Sequence, residues 1–107
     1  MTDPIVQQRV ERLEDLLADL TSGDETRAEA AVPALAALGG ETVIPSLRGL
    51  LDSDDADIRW WATRTLASLP SLDAGLLLPS LSDAAPEVRQ CAALGLTSHP
   101  SEAAIPA

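Results

Sequence analysis

Leu51-Asp52-Ser53-Asp54-Asp55-Ala56-Asp57-Ile58-Arg59-Trp60-Trp61-Ala62 aligns without a gap on Leu81-Ser82-Asp83-Ala84-Ala85-Pro86-Glu87-Val88-Arg89-Gln90-Cys91-Ala92, thirty residues downstream. The register holds through Leu66-Ala67-Ser68-Leu69-Pro70 against Leu96-Thr97-Ser98-His99-Pro100. A fixed period of this length marks stacked supersecondary units, none of which buries its apolar face alone.

Outward from this pair, the apolar spacing is helical. Leu13, Leu16, Leu17 and Leu20 recur on one face of a stretch from Ile5 to Leu20, with Asp3 as N-cap, Pro4 at the first helical position and Thr21-Ser22-Gly23 as the stop. Asp24 caps a second helix that carries Ala30, Ala31, Ala34, Leu35 and Leu38 to Gly39-Gly40. Pro33 inside it is expected to kink or split it. Further helices are expected over about 42–51, from Asp55 or Ala56 to Leu69, over about 74–81, and from Pro86 to a stop before Pro100.

The chain has 107 residues, enough for one domain with a modest core, and 46% of them are apolar, with no Phe or Tyr. Ala and Leu suit closely packed helices, whereas the β-branched and aromatic residues that favour strands are scarce. No window is long and apolar enough to span a bilayer, and the N-terminus lacks the pattern of a signal peptide. One cysteine forms no internal disulfide, which points to a reducing cytoplasm. The net charge is −10, and all seven basic residues are arginines. Such acidity repels phosphate backbones and argues against nucleic acid as partner. A GC-rich genome and adaptation to high internal salt both account for the missing lysines.

The pattern Leu-x-Asp/Ser-x-x-x-Asp/Glu-Ile/Val-Arg-x-x-Ala-x-x-x-Leu resembles the HEAT-like repeat of the phycobilisome-lyase type. The resemblance implies an all-α superhelical solenoid of antiparallel helix pairs. It covers nearly the whole chain from Leu13 and is weaker in the first unit, where Asp24-Glu25-Thr26-Arg27-Ala28-Glu29-Ala30 has Thr26 in place of Ile or Val. The units expected are 4–39, 41–70 and 72–100, and 101–107 reads as the start of a fourth, as in a fragment of a longer array. Scaffolds, bilin lyases, metal hydroxylases and DNA glycosylases share the pattern, so it speaks to fold more than to activity.

Arg27, Arg59 and Arg89 recur about one period apart. They read as an anion-binding ladder or as a ladder between hairpins, tied to acids such as Asp52 or Asp83, and recurrence in register favours the second. At about 100° per residue, Ile58, Ala62, Thr65, Leu66 and Leu69 share one helix face. Trp60 then points away and Trp61 lies on the flank. In the resembling family the outward side of the second helix lines the concave surface. Trp60, Trp61 and Arg64, flanked by Ala28 and Glu29 on one side and Gln90 and Cys91 on the other, are therefore the candidate partner-binding residues. Trp60 on bare solvent and Trp61 packed over a neighbouring hairpin are the alternatives.

Asp52, Asp54, Asp55 and Asp57 fail the EF-hand pattern, because Asp57 stands where the loop needs Gly and Thr63 where it needs Glu. Capping of the next helix is the simpler role. Cys91 and His99 are too few for a zinc site, and no catalytic triad or phosphate loop is present. The reading is a non-catalytic protein-interaction scaffold without metal or cofactor, binding neither nucleic acid nor membrane. The alternative is a subunit of a bilin lyase. Self-association is expected through a C-terminal edge near Leu94, Leu96 and Ile105.

Overall fold

The computed structural model describes residues 4–69 and 74–98, and every regular element among them is helical. In order these are α1 (Pro4–Leu20), α2 (Glu25–Ala37), α3 (Gly40–Leu50), α4 (Ala56–Ala67), two 3-10 turns (Ala74–Leu77 and Pro79–Ser82) and α5 (Pro86–Ser98). α1 packs on α2, α3 on α4, and the 3-10 turns on α5. α2, α4 and α5 also pack in sequence, so they form one layer of a two-layer stack. The radius of gyration, 14.2 Å, exceeds the value of about 13 Å for a spherical domain of this length. The molecule is elongated, as stacking requires.

Local chemistry sets the helix ends. Thr21 and Ser22 hydroxyls donate to the carbonyls of Leu17 and Asp19, and Gly23 turns the chain at φ 86°. Asp24 accepts the Arg27 N–H at 3.1 Å and Asp55 accepts the Asp57 N–H at 2.9 Å, so both act as N-caps. Gly39, at φ 95°, joins α2 to α3 within two residues. The expected stops at Pro70 and Pro100 and the Asp3 cap lie outside the described residues.

Two expectations are corrected. Pro33 does not split α2, which runs uninterrupted through it: the ring is exposed, and the Glu29 carbonyl it leaves without a helical donor is on a solvated side. The segment near 74–81 is not an α-helix. Pro79 has no N–H to offer the Gly75 carbonyl, and the chain tightens into i→i+3 bonds, with Leu78 N–H donating to Gly75 O and Leu81 N–H to Leu78 O. Leu77 is nonetheless fully buried, at the register that Leu47 fills one unit earlier.

The core is Leu20, Ala31, Val32, Leu35, Val43, Leu47, Leu66, Leu69 and Leu77. The expected inward face of α4 holds: Ala62, Thr65, Leu66 and Leu69 are buried and Ile58 is half-buried. Thr63 and Thr65 tolerate full burial because each hydroxyl donates to the carbonyl four residues earlier.

Candidate functional site

The most persuasive site is a groove of about 450 Å³ between α4 and α5. Trp60, Arg64, Ala67 and Ser68 form one wall, and Glu87, Gln90, Cys91, Leu94 and Gly95 the other. Helical periodicity puts Trp60 and Arg64 one turn apart on the outer side of α4. The guanidinium carbon of Arg64 lies 5.8 Å from the Trp60 ring centroid, within cation–π range. Arg64 Nη2 donates to Glu29 Oε2 at 3.0 Å, bridging α4 to α2, while its Nε is buried without a hydrogen-bond partner. Both members of this pair are nearly half exposed, 41% and 45%. It therefore orients the guanidinium more than it stabilises the fold. Leu94, 69% exposed, is the most exposed large apolar residue described and forms the opposite lip.

Of the residues expected on one concave face, Trp60, Arg64, Gln90 and Cys91 line this groove, and Glu29 is tied to it through Arg64. Trp61 is not in it. Its ring packs against the core and meets Trp60 edge-on, with centroids 4.8 Å apart. Ala28, expected on the same surface, is buried. Leu94 and Glu87 were missed as groove residues; their spacing of seven on one helix was the available signal. Of the expected C-terminal edge, Leu96 is half-buried against the core and Ile105 lies outside the described residues, as does His99.

Burial pushes the Cys91 thiol up, and Arg64 opposes this by favouring the thiolate. At neutral pH it is a protonated thiol, a weak nucleophile. Among the described residues no three His, Cys, Asp or Glu side chains could together hold a metal ion, and no helix is long and apolar enough to cross a membrane.

The arginines behave as ties between units, with one change of register. Arg59 donates from Nε and Nη2 to the Asp83 carboxylate at 2.9 and 3.2 Å, and from Nη1 to the Ser53 carbonyl at 2.8 Å. The acid it reaches belongs to the following unit; Asp52 is not its partner. The pair is 16% and 13% exposed, and the Arg59 hydrogen bonds hold the Asp83 carboxyl below the usual range. Arg27 is one residue out of step. The matched capping bonds of Ala28, Arg59 and Arg89, which donate to the carbonyls of Asp24, Asp55 and Ala85, put Ala28 at the arginine position. Arg27 instead pairs with Asp19 on the surface.

A larger groove, about 600 Å³, lies across α3 and the 3-10 turns, lined by Pro45, Arg48, Asp52, Pro79, Ser80 and Asp83 among others. It has neither an aromatic face nor an exposed aliphatic anchor, and the Asp83 carboxylate in its wall is already engaged by Arg59. The smaller groove is the better candidate.

No curated protein and no solved structure matches the chain significantly. The family model for HEAT repeats matches residues 10–78. With the paired helices, the thirty-residue register and the Arg59–Asp83 tie, this match shows that the chain belongs to the HEAT-repeat family.

Proposed function

We propose that this chain is a non-catalytic interaction module that holds a protein partner in the groove between α4 and α5. The observation that carries the reading is Trp60 beneath the Arg64 guanidinium, facing Leu94 across an open groove. Tryptophan and arginine are the residues on which interface energy concentrates, and HEAT repeats commonly serve protein–protein interaction. Glu29 and Gln90 form the polar rim, and Trp61 supports Trp60 from behind. Within the family, the subtype we favour is the phycobilisome-lyase-like repeat, on the acid-Ile/Val-Arg pattern of its second and third units. The test is capture from native lysate with the wild-type chain beside Trp60→Ala and Leu94→Glu. A partner retained by the wild type and lost with both variants, each still folded, supports the groove. A partner retained equally by all three places binding elsewhere.

A second reading is chromophore handling, favoured by the Cys91 thiol in a groove whose volume falls in the small-molecule range of roughly 300–1,000 Å³. Mixing with a bilin and following its visible absorption separates the two. An absorption change abolished by Trp60→Ala and Cys91→Ser would favour the pigment.

A further inference from the structure

The capping register lines up the outer rows of the second helices. With Ala28, Arg59 and Arg89 in one position, Glu29, Trp60 and Gln90 share the next. Pro33, Arg64 and Leu94 stand one turn further on, and Thr26, Asp57 and Glu87 one turn before. The earliest of these rows turns acidic at Asp57 and Glu87, in the first turns of α4 and α5, where the helix macrodipole favours a negative charge. Both side chains are exposed, and neither forms an ion pair with a described residue. Glu87 and Leu94 lie on one side of α5, separated by about 10 Å, or two turns.

The positive charge beside the groove is already committed. A guanidinium grips a carboxylate side-on through Nε and Nη2. In Arg64 the Nη2 donates to Glu29, and the Nε is shut off from solvent, so this edge is closed to an incoming anion. Arg59 is held by Asp83 and the Ser53 carbonyl, and Arg89 by the carbonyls of Asp83 and Ala84; neither lines the groove. An anionic ligand would meet Glu87 and Glu29 without a free cation to offset them. The open charge of the groove is negative.

We infer that the occupant of this groove is a cationic amphipathic helix of a partner protein, which sets a lysine or arginine against Glu87 and an aliphatic side chain two turns away between Trp60 and Leu94. This rests on the groove reading above and names the chemistry of the partner. Residues seven apart on a helix lie on one face at the spacing that Glu87 and Leu94 present. A second copy is disfavoured, because it brings a net charge of −10 to a surface of the same sign.

The test uses two labelled model helices of about sixteen residues, long enough to hold helical structure. They are identical except seven residues from a leucine, where one carries lysine and the other glutamate. Binding to the full chain is followed by label anisotropy and tryptophan fluorescence, and each variant is checked for helicity. The lysine helix should bind about tenfold more tightly, an exposed ion pair in one case replacing a like-charge contact in the other. Glu87→Gln should weaken the lysine helix by about two- to fivefold. Glu87→Lys should reverse the preference. Asp15→Asn, which removes the same charge from α1, should leave it unchanged. Equal binding of the two helices, or tighter binding of the glutamate helix, with both lost in Trp60→Ala and Leu94→Ala, overturns the cationic partner and leaves the groove in place. Helices that ignore the wild-type chain, or bind Trp60→Ala and Leu94→Ala as well as wild type, overturn the groove reading with it. A dimer of the chain that Leu94→Ala dissolves puts a second copy in the groove and overturns the inference as well.

Discussion

Gly95 packs directly against Ala67 of α4. A Cβ built there would lie 2.7 Å from the Ala67 Cβ and 2.9 Å from a Leu77 methyl carbon. The Leu77 end can move, but the Ala67 Cβ is fixed to its helix. Two effects oppose each other in Gly95→Ala: overpacking of roughly 1–3 kcal/mol against a gain in helix propensity of about 1 kcal/mol. Overpacking should win, leaving a net loss of about 1–2 kcal/mol in denaturant unfolding. Gly49, also helical, has nothing within 4 Å of a built Cβ, so Gly49→Ala should stabilise by up to about 1 kcal/mol in the same assay. Cys91 offers a chemical readout of the groove. Its raised pKa makes alkylation at pH 8 slower than that of an unstructured cysteine peptide. Arg64→Ala removes the charge that favours the thiolate and should slow the reaction further, provided the thiol stays as covered as before. A faster reaction would mean that Arg64 acts mainly as a shield.

Among the helices, the capping residues are the cheapest changes with a foreseeable effect. Asp24→Ala and Asp55→Ala should each cost about 0.5–2 kcal/mol in thermal or chemical unfolding, because each removes the acceptor of an N-terminal backbone N–H. The Asp24 cap was legible from residue type and position alone, as were the helices and the inward face of α4, whereas the cap of α4 was legible only as one of four aspartates, of which the structure picks Asp55. The 3-10 turns were not: Leu76, Leu77 and Leu81 keep an apolar run whether the chain winds by three or by four residues, and the missing Pro79 donor decides between them. The register of Arg27 was misread because acid, Arg and Ala recur in the same order one residue early, and only the backbone bonds of the caps reveal the slip. Trp60 in the groove followed from helical angle. Leu94 on the opposite wall depended on how α5 lies against α4, which no single-helix periodicity encodes.

The whole molecule is acidic, with 17 carboxylate residues against seven arginines, and among the described residues Asp83 is the carboxylate set apart by a shielded ion pair. Asp83 is held below the ordinary carboxylate value of 3.8, first by the Arg59 hydrogen bonds and then by the Ala85 N–H, against a burial effect that pushes the other way. A depressed folded value means that its stabilisation is complete above the unfolded pKa and is lost as pH falls through the folded one. Acid unfolding should therefore steepen below about pH 4, near that ordinary carboxylate value. Asp83→Asn, less stable at neutral pH, should show a flatter acid limb. Parallel acid limbs in circular dichroism titrations would shift the effect to other carboxylates.

The tie between Arg59 and Asp83 spans 24 residues of chain and crosses from one unit to the next. Under mechanical load this makes it a bracket. With handles on α3 and at Thr97, force peels α5 from α4 a turn at a time, since dispersion contacts yield one after another. Peeling then meets a point where two hydrogen bonds of a shielded ion pair must break together. The first half of the third unit, wound in short 3-10 turns, has little internal hydrogen bonding to resist extension once that point gives way. In single-molecule pulling between these handles, Arg59→Ala should lower the force of that first rupture; the α1–α2 pair lies outside the loaded stretch and should stay folded.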